Sequence, residues 1–420
     1  MACERLRLSG EAVPFAAELR ALVPAPASVS AAVSEIVAEV RAGGDRALAG
    51  YTTRFDTGGA QPPPLLVSDD VLDGAVDGLE PAVRAGLALA IDNVGAVARA
   101  GVGEDREVPL GGHRVVLREA PVARAAIYVP GGRAPYPSTV VMGVVTAVVA
   151  GVEEVAVCAP PGPDGINRTI LAACRLAGAS RVYAMGGAQA VAALAYGTET
   201  VRPVDVIAGP GNLYVQEAKR QVSGDVGIDG FAGPSDLFVI AGPDADPDPV
   251  ALDLQAQTEH GAGSLVVGAS PAPELLDELR SRLDAGADTG AIVRLVDVQD
   301  FRSALALAEA FAPEHLQLVG AGAEELAPRV SRAGCVFVGA ASGTAFGDYI
   351  AGSNHILPTD GAARFASGLS AAHFRRRLTE VHIGDDAGEL ARAAAPIARA
   401  EGFELHARSM EARIRDNAGT

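Results

Sequence analysis

The sequence predicts an α/β protein with two Rossmann-like parallel-sheet domains, incomplete in lacking a GxGxxG fingerprint, and small helical segments at both termini. Three observations predict it. From about residue 122, short apolar runs alternate with helical stretches at roughly 25-residue spacing, the pattern of parallel strands joined by crossover helices. The same alternation returns after residue 264. The first ~120 residues are instead alanine-rich and amphipathic, which reads as helix.

Taken in order, residues 30–49 and 80–100 are amphipathic helices, separated by the breaker at Pro62, Pro63 and Pro64. The stretch 125–129 is a strand, followed by the turn Pro130, Gly131, Gly132 and a helix over 138–150. Strands at 155–158, 181–185 and 204–208 follow, with helices over 168–177, up to Tyr196 and up to Val222. The second run places strands at 264–268, 292–296, 316–319 and 335–338, and the N-terminal helices are expected to pack on it. After about 370 the chain reads as helix again, interrupted by Pro396 and Gly402. The implied division is an N-terminal segment (1–20), a discontinuous α/β domain (21–122 and 237–369), a second α/β domain (123–236) and a C-terminal helical tail (370–420).

Composition removes several function classes. A chain of 420 residues supports two or three domains and a large core. The net charge of −18 repels phosphate backbones, so neither nucleic acid nor an anionic membrane is an expected partner. The longest apolar run, 139–152, is too short to span a bilayer and reads as a buried helix. The N-terminus lacks the apolar core of a secretory signal. Four cysteines without a CxxC pair suit a reducing cytosol, and Cys158 and Cys335 sit in strand-like runs as inert thiols. Lys219 is the only lysine, in a charged Glu-Ala-Lys-Arg helix that does not suggest a Schiff base.

Candidate chemistry lies in five places. Three glycine turns follow predicted strands, at 128–133, 186–189 and 209–212; such turns let amides approach phosphate, and they also serve as ordinary βα turns. Gln257 and His260 are three apart, able to share a helix face and a metal, or simply an exposed helix end. Glu314 and His315 set a carboxylate beside an imidazole, which serves acid–base work or occupies a plain loop. The polar stretch 347–355, with Asp348 and His355, reads as a catalytic or metal loop or as a capped helix start. Glu401 and His406 flank the Gly402 kink, where a solvated helix is the simpler reading.

Together these segments closely resemble the histidinol dehydrogenase family, from about 120 to 410. The words are YVPGG (128–132), GGAQA (186–190), GPGN (209–212), EAKRQV (217–222), GID (227–229), AGPSD (232–236), QTEH (257–260), PEHLQL (313–318) and GDYIAGSNHILPT (347–359). The resemblance implies a zinc-dependent, NAD-linked homodimer that oxidises L-histidinol through L-histidinaldehyde to L-histidine, the last step of histidine biosynthesis. It implies that Gln257, His260 and Asp348 hold zinc in one subunit, with His406 supplied by the partner, so that the tail packs on the other copy. Ser235, Glu401 and the zinc ligands, with His315, match substrate positions; Tyr128, Gln189 and Asn212 match NAD positions, making 123–236 the NAD side. His315 matches the general base of both oxidations, and Glu314 the group that activates water. Asp236 departs from the family's usual Glu, and Thr258 from its common Ala. The alternatives are a paralogous zinc/NAD enzyme acting on another small polar alcohol, a zinc hydrolase and a non-catalytic nucleotide-binding protein. One feature of the pattern runs against expectation: Glu314 and His315 precede a strand, whereas ligand crevices in α/β sheets lie beyond strand ends.

Overall fold

A strand that leaves a sheet through a helix returns parallel to its start, so the alternation along this chain builds parallel sheets. The computed structural model describes residues 3–24, 28–131, 134–231 and 233–414; Gly132 and Ala232 of the motifs above, and 415–420 of the tail, lie outside these. In chain order the strands are β1 (Cys3–Arg7), β2 (Arg106–Pro109), β3 (Arg114–Pro121), β4 (Arg124–Tyr128), β5 (Glu154–Ala159), β6 (Arg181–Ala184) and β7 (Val206–Ala208). They continue as β8 (Gly227–Ile228), β9 (Asp236–Ala241), β10 (Leu265–Ser270), β11 (Ile292–Asp297), β12 (His315–Val319), β13 (Cys335–Val338) and β14 (Arg375–His382).

Two compact units result, one from 1–101 with 122–374, the other from 102–121 with 375–420. The first contains two parallel sheets, ordered β6-β5-β4-β7-β8 and β1-β11-β10-β9-β12-β13. In each the chain steps outward and then returns to the other side of its starting strand, between β4 and β7 and between β9 and β12. Such reversal points open crevices between the loops of neighbouring strands. Every residue of β9, β10 and β12 is buried, as strands covered on both faces must be.

Several expectations are corrected. The N-terminal segment is not only helical: β1 pairs in parallel with β11, with Cys3 buried and Arg5 held by Asp297. β1 is an edge strand of the six-stranded sheet, and three of its five residues are charged. β9 escaped the sequence reading although it is central, because a five-residue apolar run at 237–241 carries no periodicity. The helices Ser30–Phe55, Asp69–Asp77 and Pro81–Ala100 were expected on the second run of strands; they pack instead on Gly187–Tyr196, Arg168–Ala177 and Pro137–Val149, around the five-stranded sheet. Only the helix Ala12–Arg20 joins the six-stranded sheet, against Phe301–Phe311. By length and apolar content Pro81–Ala100 could cross a membrane, yet its buried residues Leu87, Ala90 and Val94 recur every three or four positions and face Pro137–Val149.

The smaller unit, expected to be helical, opens with an antiparallel sheet ordered β14-β3-β2. Arg118 and Arg377 of adjacent strands pair with Glu380 and Glu119 across it. The helices Ala387–Ala400 and Glu404–Glu411 follow, tied by Arg399 to Glu404 and Glu411.

Candidate active site

Beyond the carboxyl ends of β4 to β7 lies a cleft of about 1120 Å³ lined by Tyr128, Gly131, Gly187, Gln189 and Asn212. Each glycine turn follows a strand and precedes a helix or loop, which places its residues along the cleft at the strand ends, where ligands of such sheets bind. The Tyr128 hydroxyl accepts the Gly187 N–H at 3.0 Å, and burial pushes its pKa up. Asn212 Oδ1 caps the helix Leu213–Val222 by accepting from Tyr214 and Val215. The structure thus brings the three expected NAD residues to one cavity. It adds Asp56, which the sequence did not single out: the residue directly follows the helix Ser30–Phe55 and belongs to no motif. Asp56 accepts from Gln189 Nε2 at 3.3 Å, and burial pushes its carboxyl up to about 6.

The turn at Gly209 is set from behind. Gly209 has φ 119°, and an added Cβ there would overlap the Tyr128 carbonyl. Its carbonyl accepts from Lys219 Nζ at 2.9 Å, and its N–H donates to Asp229 at 2.7 Å, while Lys219 and Asp229 pair directly. Lys219 is therefore not a solvated member of a charged helix; it is 1% exposed. Replacing it with Met leaves the Asp229 carboxylate buried without its cation, and is expected to lower stability by about 3–5 kcal/mol. Urea unfolding of K219M checks this.

Glu314 and His315 lie at the opposite kind of edge, the amino end of β12 beside the amino end of β9. Ser235 and Asp236 lead into β9, so both pairs meet where the strand order reverses. This resolves the placement of the pair before a strand: the sheet presents its amino edge here, and helix ends and loops supply the other walls. Ser235 Oγ donates to Glu314 Oε2 at 2.6 Å, the Asp236 N–H donates to the same oxygen at 3.1 Å, and Gln257 Nε2 donates to Ser235 Oγ at 2.7 Å. Burial pushes the Glu314 carboxyl up to about 7; His315 pulls it down and Asp236 pushes it up. His315 is 2% exposed, its ring 5.9 Å from that of Phe337. Its Nδ1 is 3.8 Å from Glu314 Oε2 and its Nε2 3.7 Å from Asp348 Oδ1, both beyond a hydrogen bond. Among the described residues Nδ1 has no hydrogen-bond partner. A buried orphan of this kind marks a functional position.

Asp348 sits on the short helix Thr344–Tyr349, and His355 fixes the loop after it. The Asp348 carbonyl can only accept, so His355 Nδ1 carries the proton that reaches it at 2.9 Å, and Nε2 accepts from Thr139 Oγ1 at 3.2 Å. Asn354 Nδ2 donates to the Met142 carbonyl at 3.0 Å. Thr146 Oγ1 donates to the same carbonyl at 2.6 Å, within the π-helical turn Val141–Val145. The loop thus bonds to a helix of the five-stranded half. Its sequence showed a polar loop but not this partner, which lies more than two hundred residues away.

Gln257 and His260 are joined by the turn that ends their helix, the His260 N–H donating to the Gln257 carbonyl at 3.4 Å. The helix Pro247–Thr258 ends between them, leaving Gln257 buried and His260 exposed just beyond. Both remain on the side of Asp348: partial desolvation holds the His260 pKa low, opposed by the Asp348 charge and reinforced by His315. Among the described residues no three His, Cys, Asp or Glu form a metal-binding group by themselves. A mixed set fits better. Gln257 commits Nε2 to Ser235 and keeps Oε1, His260 favours the neutral imidazole that ligates metals, and Asp348 supplies a carboxylate. Two oxygens and one imidazole suit zinc and leave coordination for further ligands. Glu401 and His406 belong to the smaller unit, both exposed, with the His406 ring 5.2 Å from Phe403. The cysteines are free, and burial raises the Cys158, Cys174 and Cys335 thiols, against a thiolate nucleophile.

Comparisons with known proteins agree with this geometry. A family model described as histidinol dehydrogenase matches residues 23–414. The histidinol dehydrogenase of Rhodospirillum rubrum is 43% identical over 435 residues, covering 97% of this chain and 98% of that protein. That of Pseudomonas aeruginosa is 41% identical over 403 residues, covering 93% and 92%. A crystal structure of histidinol dehydrogenase from Elizabethkingia anophelis superposes with a TM-score of 0.91 at 29% identity, covering 99% and 98%. With a family model spanning nearly the whole chain, and both a cleft at the ends of the five-stranded sheet and a buried carboxylate–imidazole couple in place, the chain belongs to the histidinol dehydrogenase family.

Proposed function

We propose that this chain oxidises L-histidinol to L-histidine in two successive NAD-linked steps, as a cytosolic homodimer whose sites are completed across the subunit interface. The observation that carries the reading is the buried couple of Glu314 and His315, with two chemically distinct proton acceptors and a Ser235 hydroxyl around one space. When bound, zinc would orient and polarise the substrate and NAD would supply the hydride acceptor. In the first step His315 takes the alcohol proton as the C–H bond breaks, leaving the aldehyde. In the second, Glu314 takes a proton from water as its oxygen bonds to the aldehyde carbon. His315, having released its first proton, then takes one from the hydrate as the second hydride leaves, giving the acid. Ser235 orients Glu314, and Gln257 orients Ser235. Gln257, His260 and Asp348 would hold the metal with His406 of the partner subunit, and Glu401 would reach the substrate from the same tail. What supports the shared site is the exposed apolar surface around His406: Ile397, Phe403 and Leu405 are 62%, 52% and 75% exposed.

Absorbance of NADH with histidinol as substrate tests the reading. Two NADH per histidinol are expected. A zinc hydrolase or a non-catalytic binder produces none, and NADH only with another alcohol identifies a paralogue.

A further inference from the structure

Asp236 departs from the glutamate that the family resemblance leads one to expect, and the function above gives it no task. It is the first residue of β9 and 1% exposed. Its Oδ1 accepts the Glu314 N–H at 2.8 Å, and its own N–H donates to Glu314 Oε2 at 3.1 Å, so each residue bonds the other through backbone and carboxylate. Its Oδ2 accepts from Arg20 Nη1 at 3.0 Å. Arg20 is itself immobilised. Its Nε and Nη2 donate to the Phe311 carbonyl at 3.0 and 2.7 Å, and the guanidinium lies 3.9 Å from the Phe311 ring centroid. Arg20 ends the helix Ala12–Arg20, the one N-terminal helix that packs on this sheet.

We propose that Arg20 and Asp236 are a positioning pair for Glu314: the guanidinium anchors the Asp236 carboxylate, and Asp236 holds Glu314 in place through the two bonds they exchange. The inference rests on Glu314 being the base of the hydration step. Glu314 is faced by His315 and Asp236, with Arg20 behind Asp236, Asp348 beyond His315, and Asp360 3.7 Å from Arg20. Burial raises the Glu314 pKa most, His315 lowers it next, and Asp236 is the charge among these that raises it. A fully buried Asp236 without its cation would favour its neutral form, because burial already pushes its own pKa up and Arg20 is the largest of the groups that oppose this, with the Glu314 N–H and His315. The pair acts through Glu314 and need not touch substrate.

The test is the acid limb of kcat/KM against pH with L-histidinaldehyde as substrate. Asp236→Asn keeps an oxygen to accept the Glu314 N–H but removes the charge. The limb should move to lower pH by roughly one unit. Arg20→Gln should move it in the same direction, because Asp236 then takes up a proton. The double variant should move it no further than D236N, since both changes act on one charge. A merely structural ion pair would lower stability without moving the limb. If D236N leaves the limb in place while Glu314→Gln abolishes it, the pair is refuted and Glu314 stands as the base. If E314Q leaves the limb intact, both are refuted. Should D236N fail to fold, R20Q reads the same limb, and an unmoved or rising limb there overturns the proposal.

Discussion

Replacing His315 with asparagine is expected to slow both oxidations by about 10²–10⁴, the range that one positioned acid–base group contributes. The reason is placement. His315 is buried with an unpartnered Nδ1, between Glu314 on one side and Asp348 on the other. In both steps an oxygen-bound proton must leave as hydride departs, and this imidazole is the base assigned to both. Asparagine keeps a polar side chain but cannot take the proton. Single-turnover rates with histidinol and with L-histidinaldehyde check this. Because His315 is not assigned as a metal ligand, zinc content should be unchanged. A variant that loses one step and keeps the other would separate the base of the two oxidations and overturn the assignment.

Glu314→Gln is expected to behave differently. The amide keeps an oxygen to accept from Ser235 and the Asp236 N–H, so the site stays assembled. It cannot take a proton from water. Aldehyde oxidation should fall by about 10²–10³ while alcohol oxidation changes less than about tenfold. The NADH yield per histidinol should then drop from two towards one, with the aldehyde captured by a carbonyl reagent. The wild-type aldehyde step should fade as pH drops below about 7, where burial keeps the Glu314 carboxyl protonated. Stability carries the same sign. A carboxyl raised from 4.5 to about 7 binds its proton more tightly folded than unfolded. That stabilisation is present below 4.5 and lost as pH rises through about 7, and E314Q should remove this slope. Normal acid formation by E314Q would refute the role.

Much of the fold was legible because local signals agreed. The helix Arg168–Ala177 and the strands β4, β5 and β13 follow apolar periodicity and flanking glycines closely. What was not legible depended on long-range pairing. β1 lies in a stretch that reads as helix until β11 pairs with it, and β14 reads as helix until β3 pairs with it along its whole length. The packing side of the N-terminal helices is chosen by the surface that meets them, which a single helix does not reveal. In the site, the glycine turns stood out because each follows a predicted strand, and the Glu314–His315 dipeptide because it sets a carboxylate beside one of only seven histidines. Asp56, Arg20 and the His355–Thr139 contact did not, since each gains meaning only from a partner distant in sequence. The burial of Lys219 was equally hidden among charged neighbours, since it depends on Asp229 and the Gly209 carbonyl, which hold the ammonium inside.

Anomalous diffraction at the zinc edge, on crystals of the full chain grown with zinc, tests the central claim most directly. The account predicts one peak per site, within coordination distance of Gln257, His260 and Asp348, with His406 of the partner subunit completing the set. A peak elsewhere, or none, with every His406 turned to solvent, would contradict it.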